Sequence, residues 1–125
     1  MSTDLSRSLA GELLAPSGGL GLVVSRALET VVVTIHGELD EVGSELLDLM
    51  LVDLTGDQGH RVVAVDLAHA TGGLTTATVL AAAAGRARQR GGRFIVNEPP
   101  RQIVEALASR PWGELVEIEP QVEPR

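Results

Sequence analysis

The sequence contains no cysteine, no lysine and no tyrosine, and it has one phenylalanine and one tryptophan. Without cysteine there can be no disulfide, no thiolate nucleophile and no cysteine-ligated metal, and the reducing cytoplasm is the expected compartment. Without lysine a Walker-type Gly-Lys phosphate loop is impossible, and neither a Gly-x-Ser-x-Gly elbow nor a Gly-x-Gly-x-x-Gly fingerprint occurs. So few aromatics leave the core to Val, Leu, Ile and Ala and supply no stacking platform. Long apolar runs are missing as well. The longest, Val79 to Ala84, is far short of the roughly 20 residues that span a bilayer. The opening Met-Ser-Thr-Asp-Leu does not have the pattern of a secretory signal. A soluble cytoplasmic protein is expected, with no membrane association.

What is present fits one domain with one core. The chain has 125 residues, of which 44% are hydrophobic and 22% charged. Its formal charge of -7 argues against direct binding to nucleic acid or to an anionic membrane, both of which need clustered cations. A partner with a basic face suits it better. His36, His60 and His69 lack the spacing and flanking ligands of a metal site, so no metal and no cofactor are expected. Residues 1–18 read as a flexible N-terminal extension: Leu5, Leu9 and Leu13 recur at helical spacing, but Pro16-Ser17-Gly18-Gly19 breaks the pattern. Residues 19–120 form the domain and 121–125 a frayed tail.

Within the domain, periods of two and of 3.6 residues alternate. Leu20 to Leu28 and Val31 to His36 are β-prone runs joined at Glu29-Thr30, the pattern of an antiparallel hairpin. Asp40 or Ser44 can cap a helix running to Leu54, with Leu46, Leu47, Met50, Leu51 and Leu54 as its apolar stripe. Val62-Val63-Ala64-Val65 is apolar on both alternating faces, which predicts a central strand covered by helices on each side and ending at Asp66-Leu67. A turn over Ala68 to Leu74 then precedes a helix opening at Thr75-Thr76, which gathers Arg86, Arg88 and Arg90 in its last turns and stops at Gly91-Gly92. Arg93 to Asn97 reads as a strand and Pro99-Pro100 as the start of a helix ended by Pro111. Trp112 packs that helix onto the sheet, and Leu115 to Glu119 is an edge strand. The order strand, strand, helix, strand, helix, strand, helix, strand implies an α/β fold with a mixed, mostly parallel sheet.

The stretches Val32-Val33-Thr34-Ile35 with Gly37-Glu38-Leu39-Asp40, the strand Val63 to Leu67, and Arg86 to Phe94 around Gly91-Gly92 resemble the STAS domain in the branch of anti-sigma factor antagonists. The resemblance spans about residues 20–119 and rests on order and spacing more than on any one motif. It implies a STAS-like fold and a non-enzymatic regulator of transcription. Its partner would be an anti-sigma factor kinase of the histidine-kinase-like ATPase type, in a partner switch released by phosphorylation at the start of the second helix. The family's Asp-Ser-Ser-Gly-Leu motif falls, to within one residue, on Leu74-Thr75-Thr76-Ala77-Thr78, making Thr76 the phosphorylation candidate with Thr75 beside it. Leu74, Ala77 and Thr78 stand where the family has aspartate, glycine and leucine.

The resemblance also implies a partner-binding face built from Gly37, Glu38, Asp40, Gly72, Gly73, Leu74 and Thr78. Residue chemistry alone offers plainer readings: Thr75 and Thr76 are good N-caps, and Glu38 and Asp40 are turn and cap residues. The altered motif leaves open a docking module that cannot be switched by phosphate. Soluble STAS domains also act as accessory subunits of lipid or anion transport systems, and a homodimer is a further assembly the reading allows.

Overall fold

The computed structural model describes residues 13–14, 20–56 and 60–119. Alternation sets the core side of each strand. In β3, Thr30–Glu38, the β-branched Val31, Val33 and Ile35 are buried, while Val32 and Thr34 are half-buried and His36 is exposed. The other strands are β1, Leu13–Leu14; β2, Gly21–Ala27; β4, Val62–Thr71; β5, Arg93–Asn97; and β6, Glu117–Glu119. They form one sheet in the order β1-β2-β3-β4-β5-β6, antiparallel from β1 to β3 and parallel from β3 to β6. Helices α1, Glu41–Gly56, α2, Leu74–Gln89, and α3, Arg101–Ala108, fill the parallel crossovers. The α/β class, the mixed sheet and the alternating helices agree with the sequence reading.

Every crossover steps one strand in the same direction, and a right-handed connection puts its helix on a fixed side of the sheet. All three helices therefore share one face, α1 against α2 and α2 against α3. Among the described residues, this corrects the expectation of helices on both sides of β4. Val63, Val65 and Leu67 belong to the core cluster under the helices. Ala64 lies on the other face, in a row between Val32 and Ile95, and is shielded by these neighbours without joining that cluster. Small size hides it where a second layer was expected.

Other boundaries also move. The hairpin turns at Leu28-Glu29, because Ala27 pairs with Thr30, and Leu28 takes a φ of 57°. Leu13 and Leu14, inside the stretch assigned to a flexible extension, pair with Val23 and Leu22 as an edge strand. The remainder of residues 1–18 and the tail 121–125 lie outside the described residues. The stop after α2 is as read: Gly91 takes a φ of 79°, and a Cβ on Gly92 would come within 2.7 Å of the Arg61 carbonyl oxygen. Trp112 is half-exposed and packs on a helix. It turns at a φ of 68° and lays its ring on α2, where a Cβ on Gly85 would sit 2.8 Å from Cε3. A short 3-10 turn, Gly113–Leu115, then leads into β6.

β4 outruns its predicted end. The sequence places a turn from Ala68, but the strand continues to Thr71 and only Gly72-Gly73 connects it to α2. Thr34 faces Asp66 and His36 faces His69, so β4 carries one residue more than β3 between these pairs, a β-bulge. The Asp66 carboxylate accepts the Ala68 N–H at 3.0 Å and holds the bulge closed. Beyond it the parity of β4 is reset, so His69 turns to the open face and Ala70 into the core.

Candidate partner-binding site

Two loops meet at the carboxyl end of the parallel strands. Gly37 pairs with Ala70 and Glu38 with Thr71, and the Leu39 N–H donates to the Thr71 carbonyl at 2.8 Å. The turn from β3 to α1 is thereby tied to the loop from β4 to α2. Gly37 has a φ of 113°, open to glycine and strained for any other residue. Asp40 caps α1, its Oδ1 accepting the Gly43 N–H at 2.8 Å, and its side chain remains exposed next to exposed Glu38 and Glu41. This end of the molecule is acidic.

The start of α2 sorts the side chains of the motif by exposure. The N-cap is Gly73, which has no side chain, so neither Thr75 nor Thr76 serves as the cap and the first N–H groups have no side-chain acceptor. Leu74 is 56% exposed. Thr75 is exposed. Thr76 is 0% exposed, and its hydroxyl shares a 2.9 Å hydrogen bond with Ser44 Oγ of α1, also 0% exposed. Thr78 is exposed and donates to the Leu74 carbonyl at 3.0 Å within its own helix.

Gly72 makes this packing feasible. A Cβ there would lie 2.6 Å from Thr76 Oγ1 and 3.2 Å from Ile103 Cδ1 of α3. Gly73 is more open, a Cβ meeting only Gln102 Nε2 at 3.6 Å. The fold thus brings Gly37, Glu38, Asp40, Gly72, Gly73 and Leu74 to one end, with Thr75 among them and Thr78 a turn farther along α2. Thr76 points inward. Ser44 is the residue that the sequence reading missed in this role. The sequence offers it as an alternative to Asp40 for the cap, although its spacing of three to Leu47 places it on the buried stripe of α1.

An exposed hydroxyl at an uncapped helix N-terminus can accept a phosphoryl group, and the partial positive charge there favours the product. The groups with displaced pKa values lie elsewhere. Burial, followed by the charges of Arg26 and Arg90, holds His60 below the usual histidine value. At the amino end of β5, Arg93 and Glu117 form a two-bond ion pair, 2.6 and 3.1 Å, which lowers the carboxyl and raises the guanidinium.

No protein-family model matches the sequence, and no curated protein does. Among solved structures the chain is similar to SpoIIAA, an anti-sigma factor antagonist in its unphosphorylated form, with a TM-score of 0.64 at 13% identity over 78% of this chain and 86% of that one. It is also similar to part of Mglu, with a TM-score of 0.53 at 25% identity over 63% of this chain and 19% of that one. The fold is thus the STAS-like fold found in an anti-sigma factor antagonist.

Proposed function

We propose that this chain is an anti-sigma factor antagonist. It binds an anti-sigma factor kinase of the histidine-kinase-like ATPase type through the end of the sheet that carries Glu38, Asp40, Gly72, Gly73, Leu74 and Thr78. Phosphorylation of Thr75 releases that partner. The fold shared with SpoIIAA supports the class of function, and one observation carries the site. Thr75 is an exposed hydroxyl residue at the uncapped start of α2, at the end of the molecule that carries the acidic Glu38 to Asp40 turn. The resemblance points first to Thr76, but full burial against Ser44 shifts the acceptor to its neighbour.

Within the domain a phosphate on Thr75 meets the helix dipole favourably, by about 0.3–1 kcal/mol. Its switching effect therefore arises in the complex, where two new charges must be desolvated against a close-packed surface. Leu74 supplies the apolar part of that surface in place of the family's aspartate. Burying an exposed leucine fully contributes about 1.5–3 kcal/mol, and Leu74 is half of the way out.

The burial of Thr76 also favours a second reading, constitutive docking without a phosphate switch. Binding of the purified partner to Thr75→Glu, Thr75→Ala and Leu74→Glu distinguishes the two. A switch predicts retained binding for Thr75→Ala and at least tenfold weaker binding for the two glutamate variants. Constitutive docking predicts loss with Leu74→Glu alone, and unchanged binding in all three removes this face from the interface.

A further inference from the structure

The bulge in β4 has an effect that partner binding does not require: it sets His69 directly across from His36. Without the extra residue His36 would face Ala68, and His69 would point into the core. The two exposed imidazoles instead touch edge to face, with ring centroids 5.4 Å apart. Asp66 stabilises the bulge through the Ala68 N–H. We propose that His36 and His69 form a two-histidine chelate for a borderline divalent cation, zinc, nickel or copper, on the open face of the sheet.

The dimensions fit. A zinc–nitrogen bond of about 2.0–2.1 Å puts each ring centroid about 3.2 Å from the metal, and a tetrahedral angle then separates the centroids by about 5.2 Å. The observed spacing of 5.4 Å is close to that value, and the terminal torsion that aims the nitrogens of each exposed ring is soft. Neutral imidazole is the donor these metals favour over water or carboxylate. The described residues offer no group of three or more His, Cys, Asp or Glu around one point, so the chelate leaves coordination positions open to solvent or to a ligand from another molecule. Its place is also specific. His36 directly precedes Gly37-Glu38, and His69 precedes the Thr71-Gly72-Gly73 segment, so a bound ion staples together the two strands that carry the candidate site.

The chain has three histidines, and His60 lies away from the pair in the connection before β4, which gives an internal control. Zinc chloride is titrated into the full untagged chain while the imidazole resonances are followed by NMR, with His36→Gln, His69→Gln and His60→Gln in parallel. Saturable shifts of His36 and His69 at one equivalent, with His60 unmoved, are expected. Each of His36→Gln and His69→Gln should weaken binding at least tenfold, and His60→Gln should leave it unchanged. Absence of a saturable shift at millimolar zinc, equal shifts of all three rings, or full binding by His36→Gln overturns the proposal. Because all three side chains are replaced without entering the core cluster, dispersed amide spectra of the variants verify that loss of binding is not loss of fold.

Discussion

Adjacent threonines at the start of α2 should respond oppositely to a negative charge. Thr76→Glu forces a longer, ionisable side chain into a site where Thr76 is 0% exposed, Ser44 Oγ is the hydrogen-bonding neighbour and a Cβ on Gly72 would already be 2.6 Å from its hydroxyl. Overpacking costs about 1–3 kcal/mol. The new carboxyl must then either remain charged, at several kcal/mol, or bind a proton. Moving a carboxyl from its usual value near 4.3 to neutrality at pH 7 costs about 3.7 kcal/mol, at about 1.36 kcal/mol for each pH unit. The sum, about 5–7 kcal/mol, is comparable to the whole stability of a small domain, about 5–15 kcal/mol. At about 4–8 °C for each kcal/mol, Thr76→Glu should melt at least 20 °C lower or fail to fold.

Thr75→Glu adds the same charge in solvent at the positive end of α2 and should gain about 0.3–1 kcal/mol, a rise of a few degrees at low ionic strength. Thermal unfolding at pH 7 followed by circular dichroism decides the matter. Thr76→Val, which removes the hydroxyl and keeps the volume, should cost only about 1–3 kcal/mol by leaving Ser44 without this partner. A melting temperature for Thr76→Glu within about 5 °C of the parent would refute the buried placement of Thr76 and return it as the phosphate acceptor.

Three further outcomes follow from the packing. Gly113→Ala should lower the urea midpoint by an amount equivalent to about 1–3 kcal/mol or more, because its Cβ would overlap the Leu107 carbonyl, which is backbone and cannot move aside. Leu28→Gly should raise stability by up to about 1 kcal/mol in the same assay, since Leu28 holds a φ of 57°, is fully exposed and has no packing to lose. For His60 the folded value is lowered, so the unfolded chain binds the proton more tightly. The stability of the neutral form is present above the unfolded value near 6.5 and is lost as pH falls below it, levelling off below the folded value. Urea midpoints between about pH 8 and pH 5 should therefore fall less for His60→Gln than for the parent.

What could be read in the sequence was local. Asp40 caps α1 because a carboxylate at that position reaches the N–H three residues on, and Gly91 ends α2 because a left-handed cap selects glycine. Both were legible from single residues. The extra length of β4 was not, because Ala68-His69-Ala70-Thr71 is weakly β-prone and the bulge reverses its alternation partway along. The shared face of the three crossover helices also escaped, since it depends on the direction of each crossover, and Ala64 reads as buried whether a helix or its own neighbours hide it. At the site, the exposed acids and the glycine loop were legible as loop chemistry. The contact that decides between Thr75 and Thr76 joins residues 32 apart in sequence, and no local pattern contains it. The His36–His69 pair was missed for the same reason, a contact across strands made by a bulge.

The most direct test of the central claim is recovery of the protein from its native cells, with mass spectrometry of its partners and of the peptide carrying Thr75 and Thr76. A histidine-kinase-like ATPase bound to the unmodified chain is expected, with phosphate on Thr75 in the unbound pool. Phosphate on Thr76, or a tightly bound partner set without such an ATPase, would contradict that claim.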